Sequence, residues 1–466
     1  MPVHKLIIAS LHAVFGYRAA PFFALALATH LLNTALLYFV LRHLVRAPLA
    51  AFGAALWGSA VVHQSSLDWF SVYGQILAAT CLLVLLLDWV RSGLQSGTPS
   101  RAALLRWNLA LLVAGTSFGI GIALAVAAPV VALAFVRRSQ RRRIFLALLP
   151  AAIAVPALYS MAYAHAGGDR GPLAAPFLPA VGLRLLLELP AAGLASLLGP
   201  ATTRHNASLL GGPLATRSFE DAFPIVRAAG FALALVVLVG FVLSTRPARR
   251  RMIGAALLCA AVYSLVAFGR TQLSLLTSPA NIATEGRYHY TTLLGATLLV
   301  VLAASAIGRR LRNLTSARVA GGAVLLAWLS LVVVPSFGGS REVQRSTTTH
   351  AAVALRDTLA AIDAVIASAP PDRDVYILNS DYSATRNLFG VRNHPDRFPG
   401  IAALFALTHA SDVVQGRRVH FVETRAEVLN RIRAQPERRI SRLLVSNEEA
   451  QAGSMRVLPL PPPASN

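Results

Sequence analysis

Lysine is almost missing from this chain: Lys5 is the only one in 466 residues. Cysteine is nearly as scarce. Cys81 and Cys259 lie singly in apolar runs, form no motif, and read as packed core residues. Charge of any kind is thin at 14% of residues against 55% hydrophobic, and the mean hydropathy is +0.59. Those proportions exclude an ordinary soluble domain and indicate a polytopic membrane protein. No glycine-rich phosphate loop, cluster of metal ligands or internal repeat is visible, so no metal and no cofactor are expected. Acid is the scarcer sign, 20 Asp and Glu against 43 Lys and Arg, a formal charge of +23. The arginines sit at the ends of apolar runs rather than along one continuous face, which speaks against a nucleic-acid partner.

Three Arg-rich linkers, Arg137 to Arg143, Arg246 to Arg251 and Arg309 to Arg318, separate long apolar stretches. About 20 apolar residues cross a bilayer as a helix, and basic residues in short loops mark the cytoplasmic side. Spans are expected near 20–41, 48–65, 71–90, 103–117, 119–136, 144–164, 222–244, 252–268, 290–308 and 319–336. The run 103–136 exceeds one helix and must return to the side of Arg137, so it is divided at Ser117-Phe118-Gly119. Val181 to Leu198 is apolar but carries Arg184 and Glu188 one helical turn apart. A charge at the bilayer centre costs about 2.5–3.5 kcal/mol, so this stretch is placed in the outer interface. Both chain ends then face outward, and residues 1–19 form an interfacial helix with no small-residue cleavage site.

After Pro335 the pattern changes. Val353, Leu355, Leu359, Ile362 and Ile366 recur at helical spacing. Asp374 to Asn379, Val419 to Val422 and Ile440 to Val445 read as buried strands, and Thr424 with Glu427 reads as a capping box. The expected fold is therefore an all-α polytopic membrane bundle of about ten spans over 20–336. A small α/β extracytoplasmic domain over 337–457 and a disordered, proline-rich tail over 458–466 follow it.

Three polar groups stand out against the apolar background. His30 and Asn33, flanked by Thr29 and Thr34, share one face of the first span. They form either an interhelical hydrogen-bond network or the lining of a ligand cavity. His63, Asp68 and Trp69 belong to the next outward loop, followed by Tyr73 and Gln75. That set suits carbohydrate binding or acid–base work, or else a solvated loop beside an aromatic belt. Glu285-Gly286-Arg287-Tyr288-His289-Tyr290 closes the list at the outer mouth of the ninth span. There Arg287 is suited to grip a phosphate, and Tyr288 and Tyr290 to anchor at the interface.

The order of these motifs resembles the polytopic GT-C glycosyltransferases, especially bacterial relatives of the protein O-mannosyltransferases and the tetratricopeptide-containing mannosyltransferases. His30-Leu31-Leu32-Asn33 is similar to the family's H-L-x-N span. His63 with Trp69 resembles its outer H-x-E-x-x-x-W loop, and Arg287-Tyr288-His289-Tyr290 its R-Y-x-Y motif. The likeness covers roughly residues 5–340. It implies transfer of a sugar from a polyprenyl-phosphate donor, by inverting displacement, on the extracytoplasmic side of the inner membrane. His30 and Asn33 would shape the donor cavity, His63 and Trp69 would border the sugar, and Arg287 with Tyr288 would hold the lipid phosphate. Membrane lipids and an acceptor of unspecified class would be the partners. The pattern departs from the family at Ser65, where the family has Glu, and at Gly286, inserted before Arg287. The family's catalytic Asp, in a first outer loop after an initial span, has no counterpart after Met1. Either a span and loop precede this start, or the chain is a catalytically reduced relative. Asp68 is the substitute acid–base candidate.

Other classes stay open. A glycan polymerase or ligase would carry large Arg- and His-rich outer loops, and a transporter or flippase would carry repeats or midplane charges. A non-catalytic scaffold would present its outer domain to a partner.

Overall fold

The computed structural model describes residues 2–16, 19–67, 70–94, 98–165, 178–198, 219–271 and 279–311, together with the backbones of four short strands between 375 and 459. The chain divides into two units, Met1–Gly339 and Ser340–Asn466.

Among its described residues the first unit is helical throughout. Helix α1 (Pro2–Phe15) ends at Gly16, whose φ of 61° only glycine adopts cheaply. There follow α2 (Ala19–Arg42), α3 (Ala47–Gly58), the short α4 (Gln64–Leu67) and α5 (Tyr73–Leu94). Next come α6 (Arg101–Ser117), α7 (Ile120–Phe135), α8 (Arg141–His165) and α9 (Pro179–Ser196). The unit continues with α10 (Phe219–Leu243), α11 (Arg246–Gly269), the single-turn α12 (Pro279–Ala283) and α13 (Thr292–Leu311). Six of these, α2, α5, α8, α10, α11 and α13, are long and apolar enough to cross a membrane. Their outer faces agree: Leu31, Ile153, Leu235 and Val242 are each at least 60% exposed. A bundle that leaves so much aliphatic surface uncovered is built for hydrocarbon surroundings. By length and composition, six such helices are compatible with a multi-pass membrane protein.

Local sequence explains where the helices stop. Ser100 caps α6 by accepting from the Ala103 amide. The break anticipated at residues 117–119 occurs there. Ser117 Oγ donates back to the Val113 carbonyl, Phe118 is extended, and α7 restarts at Ile120. Helix α8 contains Pro150 and Pro156. Beside the first, Asn108 of α6 donates to the Ala147 carbonyl and accepts from the Ala151 amide, re-satisfying backbone groups next to the proline.

The span anticipated at 48–65 requires a correction. Helix α3 stops after 12 residues at Gly58, a rise of about 18 Å, which falls short of a bilayer core of about 30 Å. Beyond it the chain forms a 3₁₀ turn, Val61–His63, and then α4. Of the other expected spans, 103–117 and 119–136 are the shorter helices α6 and α7, and 319–336 lies outside the described residues.

Small residues let the helices approach closely. A Cβ on Gly230 of α10 would sit 2.1 Å from the Ala191 carbonyl oxygen of α9. One on Gly240 would sit 2.3 Å from the Ala303 Cβ of α13. Such small-residue contacts are the means by which membrane helices pack without a hydrophobic driving force between them. The main apolar core joins α2, α3, α5, α6, α7, α8, α11 and α13, and a smaller one gathers α9, α10, α11 and α12.

The two ends of the bundle differ in chemistry. At one, Arg137 donates to the carbonyls of Gly93 and Leu94, Arg249 to those of Phe241 and Val242, and Arg250 to those of Ala134 and Val136. Arginine thus supplies donors to the exposed carbonyls that close α5, α7 and α10. Residues 59–67, 70–72 and 279–291 lie at the opposite end, where the polar motifs converge.

In the second unit the described backbone is one four-stranded sheet of order β2-β1-β3-β4. Strand β1 (Val375–Leu378) pairs parallel with β2 (Val419–Val422) and with β3 (Leu443–Ser446). Antiparallel β4 (Arg456–Pro459) completes the sheet on the β3 side. Pro459 closes an edge strand, where its missing N–H costs least. The expected helix through Ile362 and the capping box at Thr424 lie outside the described residues.

Candidate functional site

The polar face of α2 is buried as its spacing predicts. Thr29, His30 and Asn33 are 9%, 4% and 0% exposed, whereas the intervening Leu31 and Leu32 are more than half exposed. His30 Nε2 lies 2.9 Å from the Gly58 carbonyl, which only accepts. That nitrogen therefore carries the proton, and Nδ1 accepts from the Tyr290 hydroxyl at 2.9 Å. Asn33 Nδ2 donates to the Ile76 carbonyl at 3.1 Å and reaches the same hydroxyl at 3.4 Å. His30 and Asn33 thereby tie α2 to the end of α3 and to α5, and the phenol oxygen ties the same two side chains to the segment entering α13. Thr29 adds a second tie: its hydroxyl donates to the Leu25 carbonyl and accepts from Tyr73 at 3.1 Å.

His63 completes the cluster from the 3₁₀ turn after α3. Its ring centroid lies 4.6 Å from those of Trp57 and Tyr290 and 5.3 Å from that of His30. It is 1% exposed, and neither ring nitrogen makes a well-formed hydrogen bond. Burial, reinforced by His30, holds this imidazole well below the usual histidine range. It is therefore neutral at physiological pH.

The segment before α13 forms the mouth. His289 donates from Nε2 to the Ala283 carbonyl at 2.7 Å and accepts on Nδ1 from the Tyr263 hydroxyl of α11 at 2.9 Å. Burial pushes its pKa down to about 4. Gln75 of α5 donates to the Arg287 carbonyl. Arg287 lies 3.8 Å from Glu285 and holds its guanidinium 5.3 Å from the centre of the Tyr288 ring. Arg270, just past α11, stands 5.8 Å from the same ring. Two cations thus flank one buried tyrosine, each within cation–π range.

The structure brings His30, Asn33 and His63 into one cluster and puts Arg287 and Tyr288 in the adjoining mouth. Asp68 and Trp69 lie outside the described residues. Tyr290 and Tyr288, read as interface anchors, are 0% and 6% exposed and belong to the packed interior. For His30 and Asn33 the geometry is that of an interhelical hydrogen-bond network. Sequence reasoning missed Arg270 as a partner of the motif, and its place at the end of an apolar run was the available signal. It also noted Glu188 without its burial: that carboxylate is 4% exposed, bonded on one oxygen to Arg184 at 2.8 Å and unpartnered on the other. Among the described residues no group of three or more His, Cys, Asp or Glu is arranged to hold a metal ion.

Comparison of the chain with known protein families, curated proteins and solved structures finds no match.

Proposed function

We propose that this membrane protein is a GT-C type glycosyltransferase, moving a hexosyl or pentosyl group from a polyprenyl-phosphate donor to an acceptor on the extracytoplasmic side of the inner membrane. The observation that carries this reading is the pair Arg270 and Arg287 around Tyr288. Guanidinium groups at a membrane-facing mouth match a lipid-borne phosphate in charge and in donor geometry. In an inverting displacement the acceptor oxygen forms its bond to the anomeric carbon as the bond to phosphate breaks. Charge grows on the departing phosphate, and the paired arginines stabilise it.

The remaining residues take supporting parts. His30 and Asn33 hold Tyr290, and with it the segment that presents Arg287 and Tyr288. His63, packed against Trp57 and Tyr290, supports the same segment, Trp69 borders the sugar, and Asp68 is the acid–base candidate. The Arg-rich end lies in the cytoplasm, and an α/β domain after the bundle is extracytoplasmic. A catalytically reduced relative is the second reading. It is favoured by one fact: among the described residues no acidic side chain hydrogen-bonds to the His30–Tyr290 network.

Binding of a polyprenyl phosphate to purified protein tests the proposal. A lost charge-assisted bond costs about 1.5–3 kcal/mol, so Arg287→Ala is expected to weaken binding at least roughly tenfold, and Arg270→Ala to weaken it in the same direction. Unchanged affinity in Arg287→Ala overturns the phosphate site. Binding without sugar transfer selects the reduced relative.

A further inference from the structure

We infer that the groove between the α2–α3 turn and the last turns of α13, at the Arg-rich end of the bundle, binds the headgroup phosphate of an anionic phospholipid. The inference is independent of the sugar-transfer reading, which concerns the opposite end.

The groove is a cavity of about 530 Å³, within the size range of small-molecule sites. Leu44, Val45 and Leu49 give it an apolar wall, while Arg46 and Arg309 stand at its polar side. Arg309 is fixed toward α13 by donating to Ser305 Oγ at 3.0 Å, which leaves its remaining guanidinium N–H groups for an anion. Arg46 is exposed and occupies the N-cap of α3, where no side chain caps the first turn. Pro48 has no N–H and the Ala50 amide bonds the Arg46 carbonyl, so of the opening turn the Ala47 and Leu49 amides add donors beside the guanidinium groups. Gly308 leaves the floor open, since a Cβ there would meet nothing within 4 Å.

Charge selects the occupant. Among the described residues Asp88 is the acid carried by this end, and it is already engaged by Arg106 at 2.7 Å and Trp107 at 3.0 Å. The groove thus carries two guanidinium groups and no counter-ion among the described residues. An apolar wall next to two guanidinium groups matches a phosphodiester attached to acyl chains better than it matches a free anion.

Native mass spectrometry of the detergent-solubilised full chain, titrated with phosphatidylglycerol, provides the test. A basic residue facing the bound anionic headgroup contributes about fivefold to its affinity, so Arg46→Ala with Arg309→Ala should reduce retention roughly thirtyfold. Arg309→Ala alone should reduce it about fivefold and guards against misfolding of the pair. Arg142→Ala with Arg143→Ala removes equal charge elsewhere on the same end and should leave retention unchanged. Three results overturn the inference: wild-type retention in the Arg46 and Arg309 pair, an equal loss in the Arg142 and Arg143 pair, or equal retention of phosphatidylcholine. Displacement of the lipid by inorganic phosphate at comparable concentration would reassign the groove to a free anion and refute the lipid.

Discussion

Tyr290→Phe deletes a single oxygen and breaks the hydrogen-bonded link between α2 and the segment entering α13. That hydroxyl donates to His30 Nδ1 and accepts from Asn33, inside a cluster where both partners are less than 5% exposed. Phenylalanine fills the same volume, so no cavity term enters. His30 is left with an unpaired acceptor nitrogen and Asn33 keeps only the Ile76 carbonyl. Interhelical hydrogen bonds in membrane proteins average about 0.6 kcal/mol and reach about 1.7. The 2.9 Å bond to His30 belongs at the upper end and the 3.4 Å contact with Asn33 near the lower. The expected loss is therefore roughly 1–2 kcal/mol, read as a shift in unfolding midpoint in detergent. His30→Ala should be non-additive with it, because the two share one interaction. A Tyr290→Phe protein as stable as wild type, or strict additivity in the cycle, would refute the network.

Two further predictions follow from the same packing. His289 has a folded pKa near 4 against an ordinary value of 6.5. The unfolded chain then binds the extra proton first, so stability is complete above pH 6.5, falls as pH drops, and levels off below about pH 4. A difference of that size corresponds to roughly 3 kcal/mol, and His289→Gln should flatten much of the slope in a pH series of unfolding midpoints. Gly230→Ala should destabilise by about 1–3 kcal/mol, because its new methyl meets the Ala191 backbone carbonyl rather than a movable side chain; an unaltered midpoint would contradict the close approach of α9 and α10.

How much of this was legible beforehand depended on what decides each feature. Long apolar runs ending in arginine announced α2, α5, α8, α10, α11 and α13, because length and hydropathy are local properties. The break after Ser117 was also readable, since a run too long for one span must turn somewhere and a Ser-Phe-Gly step offers the place. The stop at Gly58 was not. Residues 59–62 (Ser-Ala-Val-Val) stay largely apolar, and what holds the break is His30 taking the Gly58 carbonyl from another helix. The same limit applies to the mouth. Arg287 and Tyr288 form a visible motif, whereas Arg270 joins them only through folding. Spacing predicted which face of α2 holds Thr29, His30 and Asn33. That Tyr290 would be their common partner, 260 residues from His30, was a tertiary fact. The Arg184 and Glu188 pair at helical spacing was visible. The burial of Glu188 depended on neighbours supplied by α10 and α11.

The most direct test of the central claim is topological: phosphatase and fluorescent-protein reporters fused after Gly286, at the mouth, and after Arg142, at the Arg-rich end. The orientation proposed here predicts an active phosphatase at Gly286 and fluorescence at Arg142. Fluorescence at Gly286 with phosphatase activity at Arg142 would contradict it, because the two mouth arginines would then face the cytoplasm.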